Sequence, residues 1–572
     1  MTIRAMKFTP QVLLGAPRRS AGVPNSEGTH VLYTSSTYDF EKHSKTTEVR
    51  ILHTKTNESQ QLPLSDEASE FVWLDCKTFA FLQSEKDGST TLNIADIEAL
   101  LNDSAEEIDG KHVAGIIAAP AANLKVAKLG DGEYAVVISA EATPDGELYD
   151  PKKAKQTQST GKLYTSLFVR HWDQYTTPQT QSLWYGKLSQ SKDGKFSLSK
   201  LTNALKGTKL ESPIRPFGGA DNFDVGSAGI IFVAKDPDTN PALTTKCNVY
   251  LHRISSWEPK ASGSEPQHVF IEGYNGSATS PVFSPDGRKA AFLVQKHGGY
   301  EADYNMVFTM HHLDRPSLKA SAMSANGTER WWNRSPSSLI WSVGSGSLFA
   351  IAEDEGYSRL FSIYDNAAHA VTKHSYVADA RPLSNGKIFV SGSSLVDNSF
   401  YSIIDPSITP SEKETPEVWV HSNSDSGNKF GLKKSQVSSI WTPASNPKIS
   451  KNKKIHSWVF KPSNFDSSKK YPVAYLIHGG PQGSWADSWS TRWNQAVFAE
   501  QGFIVVAPNV TGSTGYGQDF TDAINKNWGG DPYEDIVNVF EWVSKNLPEA
   551  DNDRAVALGA SYGGYMMNCT IL

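Results

Sequence analysis

The run Gly559-Ala560-Ser561-Tyr562-Gly563 reads G-x-S-x-G, the pattern of a serine set on a sharp strand-to-helix turn with its hydroxyl facing a substrate. A serine so placed attacks acyl carbons, and the chemistry is hydrolysis of an amide or ester through a covalent acyl-enzyme. Glycines on both sides remove side chains that would collide in the turn. Five residues of this kind recur by chance, so context decides. Here Arg554-Ala-Val-Ala-Leu558, an apolar run of strand length, leads directly into the motif. Ser561 is the candidate nucleophile.

A second glycine cluster, His478-Gly479-Gly480-Pro481-Gln482-Gly483, follows the apolar run Tyr471–Ile477. A bare backbone there lends an N–H to the oxyanion of the tetrahedral intermediate, with the amide just after the nucleophile as the other donor. One such donor is worth about 3 kcal/mol of transition-state stabilisation. Gly479, Gly480 and Tyr562 are thus the expected oxyanion residues. His478 is expected to order this loop by hydrogen bonding and to line the substrate site, not to act as general base. A third cluster, Val510-Thr-Gly-Ser-Thr-Gly-Tyr516-Gly-Gln518, lacks the lysine and the spacing of a phosphate-binding loop. It is expected to line the substrate site at the carboxyl ends of the strands, with Tyr516 either touching substrate or packed in the turn.

These loops need a rigid frame. Tyr471–Ile477, Gly502–Pro508 and Arg554–Leu558 are continuous apolar runs, the mark of strands buried on both faces in a parallel sheet covered by helices. Asp531-Pro532-Tyr533-Glu534 supplies an N-cap, a proline at the first helical position and a glutamate at the third. Ile536, Val539, Phe540, Val543 and Leu547 then recur at helical spacing, so the spacing predicts a helix with one stripe on the sheet. Residues 435–572 are expected to form this α/β domain.

Upstream the pattern changes. Between 28 and 420 there is hardly any sustained helical periodicity, and short strand-like runs open at His30, Phe71, Tyr134, Gly229, Ala290, Ser347 and Lys387. The unit is clearest at Pro281-Val-Phe-Ser-Pro-Asp-Gly287-Arg-Lys-Ala-Ala-Phe-Leu-Val294, a strand, a glycine turn and a second strand. Repetition of such meanders predicts a β-propeller with seven blades, a β-sandwich array being the alternative. The expected organisation is an N-terminal segment at 1–27, a β-propeller at 28–420, a linker at 421–434 and the α/β domain. Asp145, Glu147 and Asp150 fall in a loop between blade strands, where a solvated turn is favoured over contact with a substrate amine.

Composition narrows the classes. In 572 residues, 38% are apolar and 20% charged, with a formal net charge of −6; that is an ordinary globular balance. There is no Lys/Arg block for nucleic acid and no stretch near the roughly 18 apolar residues that span a bilayer. Three scattered cysteines make neither a metal cluster nor a disulfide framework. The N-terminal residues lack the apolar core of a secretory signal, so the expected location is cytoplasmic. No cofactor, metal, nucleic acid or membrane is expected as a partner, and the oligomeric state is open.

His478-Gly-Gly-Pro481, Pro508-Asn-Val-Thr-Gly-Ser-Thr-Gly-Tyr-Gly517, Trp528-Gly-Gly-Asp-Pro-Tyr-Glu-Asp535 and Gly559-Ala-Ser-Tyr-Gly-Gly-Tyr565 together resemble the prolyl oligopeptidase family of serine peptidases. Within it the chain is most similar to the fungal dipeptidyl peptidase V type, a likeness extended by Leu13-Leu-Gly-Ala-Pro-Arg-Arg19 and Val169-Arg-His-Trp-Asp173. The resemblance implies a propeller over an α/β-hydrolase domain, short peptides as substrates, and release of dipeptides from N-termini without metal or cofactor. Many relatives carry arginine where Thr511 stands. The family order is serine, aspartate, histidine, and after Ser561 only Tyr-Gly-Gly-Tyr-Met-Met-Asn-Cys-Thr-Ile-Leu572 follows. The general base His and its Asp are thus not present in this chain. The hydrolase domain is expected to be truncated at its C-terminus, with a bare sheet edge and an exposed Met566-Met567 face, and the chain to be inactive as given. An acylaminoacyl peptidase or esterase is the alternative among enzymes; a catalytically dead propeller that binds partners is the alternative of another class.

Overall fold

Apolar residues near the N-terminus anchor the start of the chain to its far end. The computed structural model describes residues 8–102, 110–155, 158–259, 265–315, 318–323, 331–344, 346–364, 367–411 and 415–571. Residues 1–7 of the expected N-terminal segment lie outside them. Helix α1 (Pro10–Gly15) is capped by the Thr9 side chain. Phe8 and Leu13 bury beside Phe430, Trp458 and Phe460 of the C-terminal region, with the Phe8 ring edge-on to Trp489 at 5.4 Å. The first sheet begins at Arg18–Arg19 and Val23–Pro24, both paired with His30–Asp39. That is ahead of the boundary expected at residue 28: strands of two residues carry no alternation from which to read them.

Five of the seven expected strand openings fall inside strands, His30–Asp39, Ala68–Trp73, Glu133–Ala142, Gly229–Lys235 and Lys289–Gln295, while Ser347 and Lys387 stand one residue before Leu348–Asp354 and Ile388–Ser393. Each belongs to its own run of antiparallel pairings, except that the last two runs join through one parallel pair, Ser358 with Tyr376. The hairpin read from residues 281–294 pairs Val282 with Ala291 and Phe283 with Ala290. Gly287 makes its turn at φ +67°, donating to the Ser284 carbonyl at 2.8 Å.

Apolar side chains join each run to the next. Ile51 packs with Phe81, Leu92 with Ile138, and Val137 with Phe232. Val249 packs with Phe292, Leu293 with Ala350, and Ile351 with Val390. Val31 and Tyr33 of the first run also share a cluster with Phe389 and Tyr401 of the last.

The C-terminal sheet contains β1 (Val437–Pro443), β2 (Lys454–Phe460), β3 (Tyr471–Ile477), β4 (Ile504–Asn509) and β5 (Ala550–Gly559), in the order β1-β2-β4-β3-β5. Strand β3 lies parallel to β4 and β5, while β2 runs antiparallel to β4. Val473 to Ile477 and all of β4 are buried, as continuous apolar runs require. Strand β5 departs from that expectation: among the described residues it is an edge strand of this sheet, opposite β1, and Val556 keeps 43% of its surface exposed.

Helices α2 (Gln495–Ala499), α3 (Gln518–Asp522), α4 (Asp531–Asn546) and α5 (Tyr562–Ile571) complete the region. Helix α4 buries Ile536, Val539 and Val543, but Phe540 is 40% exposed, its ring tilted against Tyr475 at 5.7 Å. The cap also differs from the reading of the sequence. Gly530 is the N-cap and Asp531 is already helical, its carboxylate accepting from Asn446 instead. Met566 and Met567, expected to be exposed, are buried with Ile477, Val510 and Ile536. Among the described residues no helix is long and apolar enough to cross a membrane, and all three cysteines are free.

Candidate active site

Two residues separate β5 from α5, and the second is Ser561. Its φ is +56°, a left-handed conformation that a non-glycine residue adopts only when its surroundings impose it. They do so sterically. A Cβ on Gly559 would lie 2.6 Å from the Gly563 carbonyl, and one on Gly563 would lie 2.2 Å from the carbonyl oxygen of Ile477. The two glycines let α5 leave directly over the end of β3, and the serine between them is exposed. The Ser561 carbonyl accepts from the Tyr565 N–H at 3.1 Å. The Tyr562 N–H opens the helix, where the helical ladder offers no acceptor. Its side chain points away into the core, donating its hydroxyl to the Trp528 carbonyl at 2.7 Å.

Gly479 flanks the serine. A Cβ there would stand 3.4 Å from the Ser561 Cβ and 3.9 Å from its Oγ, so the bare loop passes directly beside the hydroxyl. His478 faces inward. Its Nδ1 lies 2.7 Å from the Gly479 carbonyl and its Nε2 2.9 Å from the Ser513 hydroxyl, and burial lowers its pKa. It ties the Gly479 loop to the loop after β4 and does not face the cavity, contrary to its expected place in the substrate lining. Tyr516 is likewise turned inward, its hydroxyl 2.7 Å from His456 Nδ1 and 2.8 Å from Asn509. Of the two readings of that residue, the structure has the packed one. Thr511 donates through N–H and hydroxyl to Asp535 at 2.8 and 2.6 Å. Burial raises the pKa of that carboxyl although Thr511 and Ser445 donate to it. Asp535 thus fixes the loop after β4 to α4, a positioning role that the Trp528–Asp535 motif carried without disclosing.

Above these loops lies a cavity of about 700 Å³, well within the range of small-ligand sites. Gly480, Gln482, Thr514 and Gln518 form one side, and Asn305, Arg334, Glu353 and Tyr376 of the antiparallel sheets form the other. The two sides are bonded together. The Tyr300 hydroxyl donates to Asp522 at 2.6 Å and accepts from Gln482 at 2.7 Å, and Gln518 donates to the Ala302 carbonyl at 2.8 Å. Asp145, Glu147 and Asp150 are occupied locally by Thr143, Lys206 and Lys153. No described histidine hydrogen-bonds the Ser561 hydroxyl; the imidazoles of His478 and His456 are engaged as above. Among the described residues no cluster is arranged to hold a metal ion.

The prolyl oligopeptidase family profile matches residues 489–572. The probable dipeptidyl-peptidase 5 of Arthroderma benhamiae is 34% identical over 581 residues, covering 98% of this chain and 76% of the relative. That of Emericella nidulans is 34% identical over 578 residues, covering 99% and 76%. Among solved structures, acylaminoacyl peptidase from Pyrococcus horikoshii superposes with a TM-score of 0.67 at 14% identity, covering 98% of this chain and 76% of that one. A puromycin-hydrolyzing peptidase of Mycobacterium tuberculosis gives 0.57 at 15%, with the same coverage. At those identities the structural likeness speaks for the fold alone.

Proposed function

The chain belongs to the prolyl oligopeptidase family of serine peptidases, and on that premise we propose that it removes dipeptides from peptide N-termini through an acyl-enzyme on Ser561. The observation that carries this is the left-handed serine between β5 and α5 with Gly479 at its side. Ser561 Oγ attacks the carbonyl carbon of the second residue, and the proton it loses goes to the departing amine. The Tyr562 N–H and the Gly479–Gly480 backbone receive the oxyanion, the amine of the remaining peptide departs, and water releases the dipeptide. The dipeptide length is favoured by the relatives at 34% identity, which are named dipeptidyl-peptidases.

Seven runs of antiparallel strands, each packed on the next and the last on the first, support a seven-bladed propeller extending to about residue 420, with the hydrolase domain from about 435. The cavity between them admits a peptide end more readily than a folded chain.

A second reading is favoured by one observation, the absence of a described imidazole on Ser561 Oγ. Nucleophile and oxyanion donors without a base leave at most roughly 10³–10⁴-fold acceleration over water, so residues 1–572 by themselves would bind peptides without useful turnover. A chromogenic dipeptidyl anilide separates the outcomes. Turnover lost in Ser561→Ala supports the peptidase; turnover that survives the substitution overturns the assignment of Ser561. Binding of peptides with no turnover supports the second reading.

A further inference from the structure

Trp172 stands where neither turn chemistry nor packing calls for a tryptophan. It lies in the turn of a short hairpin, Arg170–His171 paired with Gln174–Tyr175. Its φ is +53°, a left-handed backbone that strains a bulky residue and that turns give to glycine, asparagine or aspartate. The residue is nonetheless 72% exposed. Phe217, 73% exposed, stands edge-on to Trp172 at 6.1 Å and to His171 at 6.3 Å. His171 in turn stacks on Phe168 at 4.3 Å. The four side chains form one aromatic rim, two of its members largely in water.

Apolar surface gathered in one exposed patch marks a binding surface, and the support beneath this one is fixed in advance. Arg215 binds Glu211 through Nε and donates to the Thr177 hydroxyl and the Gln179 carbonyl at 3.1 and 2.8 Å, which ties the turn carrying Phe217 to the chain leaving the hairpin. Within that turn the Gly218 N–H donates to the Ile214 carbonyl at 2.7 Å, and the Ile214 N–H to the Asn222 side-chain carbonyl at 2.9 Å. A ligand meets rings already in place, so less ordering opposes its binding.

The rim is continuous with the cavity above Ser561. A second cavity of about 320 Å³, lined by His171, Pro216 and Phe217, shares Thr245, Gln295 and Glu301 with the first. One groove therefore leads from the loops beside the serine to the rings. A peptide whose first two residues occupy the serine site must send the rest of its chain out of the cavity, and this groove is a route for it.

We propose that Phe168, His171, Trp172 and Phe217 hold an apolar side chain in the departing part of the peptide, beyond the scissile bond. The site then prefers substrates that carry an aromatic or large aliphatic residue at that place. The inference rests on the proposed reading of the cavity as the site of dipeptide release.

The test is binding, which does not depend on turnover. Calorimetry on Ser561→Ala, which keeps the ligands intact, compares alanyl-alanine amide with octapeptides that begin Ala-Ala and carry one phenylalanine, moved from the third position to the eighth along a chain of glycine and serine. Six extended residues reach at most about 21 Å, the span that this scan covers. Affinity is expected to rise about tenfold with phenylalanine at one or two adjacent positions, as a ring gains contact with others. Adding Trp172→Ser or Phe217→Ser is expected to remove most of that gain and leave the binding of alanyl-alanine amide unchanged. Binding of the amide with no gain at any position, or a gain retained in both variants, overturns this proposal alone. No binding of any of these ligands overturns it together with the reading on which it rests. Should the variants fail to fold, the scan decides by itself: an equal gain at every position is unspecific adhesion and overturns the proposal. Sedimentation in which the two substitutions split a dimer while peptide affinities stay fixed overturns it in favour of a contact between copies of the chain.

Discussion

Ser513 Oγ lies 2.9 Å from Nε2 of His478, whose Nδ1 is 2.7 Å from the carbonyl of Gly479. A carbonyl only accepts, so Nδ1 carries the proton. The lowered pKa keeps the ring neutral, and the single proton of the Ser513 hydroxyl lies between Nε2 and the Val510 carbonyl, which is 2.7 Å from the same oxygen. The imidazole is a strut between two loops, one beside the nucleophile and one after β4. His478→Ala leaves the Gly479 carbonyl without its ring partner, while the Ser513 hydroxyl keeps the Val510 carbonyl, and should cost about 1 kcal/mol or more of stability, measured by urea unfolding. Labelling of Ser561 by a fluorophosphonate should slow in the variant, whereas a strut without bearing on the oxyanion loop would leave that rate unchanged.

The strand-to-helix turn makes a contrast between neighbouring glycines. A methyl on Gly563 would meet the Ile477 carbonyl oxygen at 2.2 Å, whereas one on Gly564 finds its nearest atom, the Gly559 carbonyl oxygen, at 3.6 Å. Gly563→Ala should lower stability by about 3 kcal/mol or more, because backbone on both sides must move. Gly564→Ala should be neutral or gain up to about 1 kcal/mol from helix propensity. Thermal unfolding of the two variants checks this, and equal effects would mean that the turn is not held by this contact.

What was legible in the sequence follows from how each feature is encoded. Ser561 and the Gly479–Gly480 loop could be read because a tight turn and a bare backbone demand particular residues at adjacent positions. Helix α4 was visible from its stripe, yet its start was placed one residue off, since Asp531 spends its carboxylate on Asn446 and leaves the cap to Gly530. His478 and Tyr516 stand in glycine-rich loops that their composition makes visible, but sequence does not tell which face of a loop a side chain takes. The cavity wall was hidden for a different reason. Glu353 and Tyr300 meet Thr514 and Gln482 only through the fold, and no periodicity connects segments so far apart.

His456 should be read out by acid. Buried between Tyr516 and Asn509, it has its pKa pushed down from 6.5 to about 4 by burial. Between those two values the unfolded chain binds the extra proton, so stability is full above about pH 6.5, falls as pH drops through the window, and loses nothing further from this group below about 4. The total is about 3 kcal/mol at 1.36 kcal/mol per pH unit. Unfolding free energies from pH 7 to 4 should fall more steeply for the unmodified protein than for His456→Gln. Parallel curves would mean that the imidazole is not held neutral in the folded state.

Tyr300 carries the bond that most directly joins the antiparallel sheets to the oxyanion loop. Its hydroxyl reaches Asp522 and receives Gln482, and burial together with the Asp522 carboxylate pushes its pKa up to about 12. It therefore stays a phenol, able to donate, at any ordinary working pH. Tyr300→Phe removes the hydroxyl and leaves Gln482 to its longer contacts with Thr521 and Asn525 at 3.4 Å, while Asp522 keeps Gln518. The loss should be about 1–3 kcal/mol, as for a bond to a charged group, and it should appear at the boundary between the two regions. Hydrogen exchange in residues 479–484 and 510–522 should accelerate, with exchange in β3 and β4 unchanged. Acceleration spread evenly over the whole C-terminal sheet would instead make Tyr300 a general contributor to stability, with no particular hold on the loop beside Ser561.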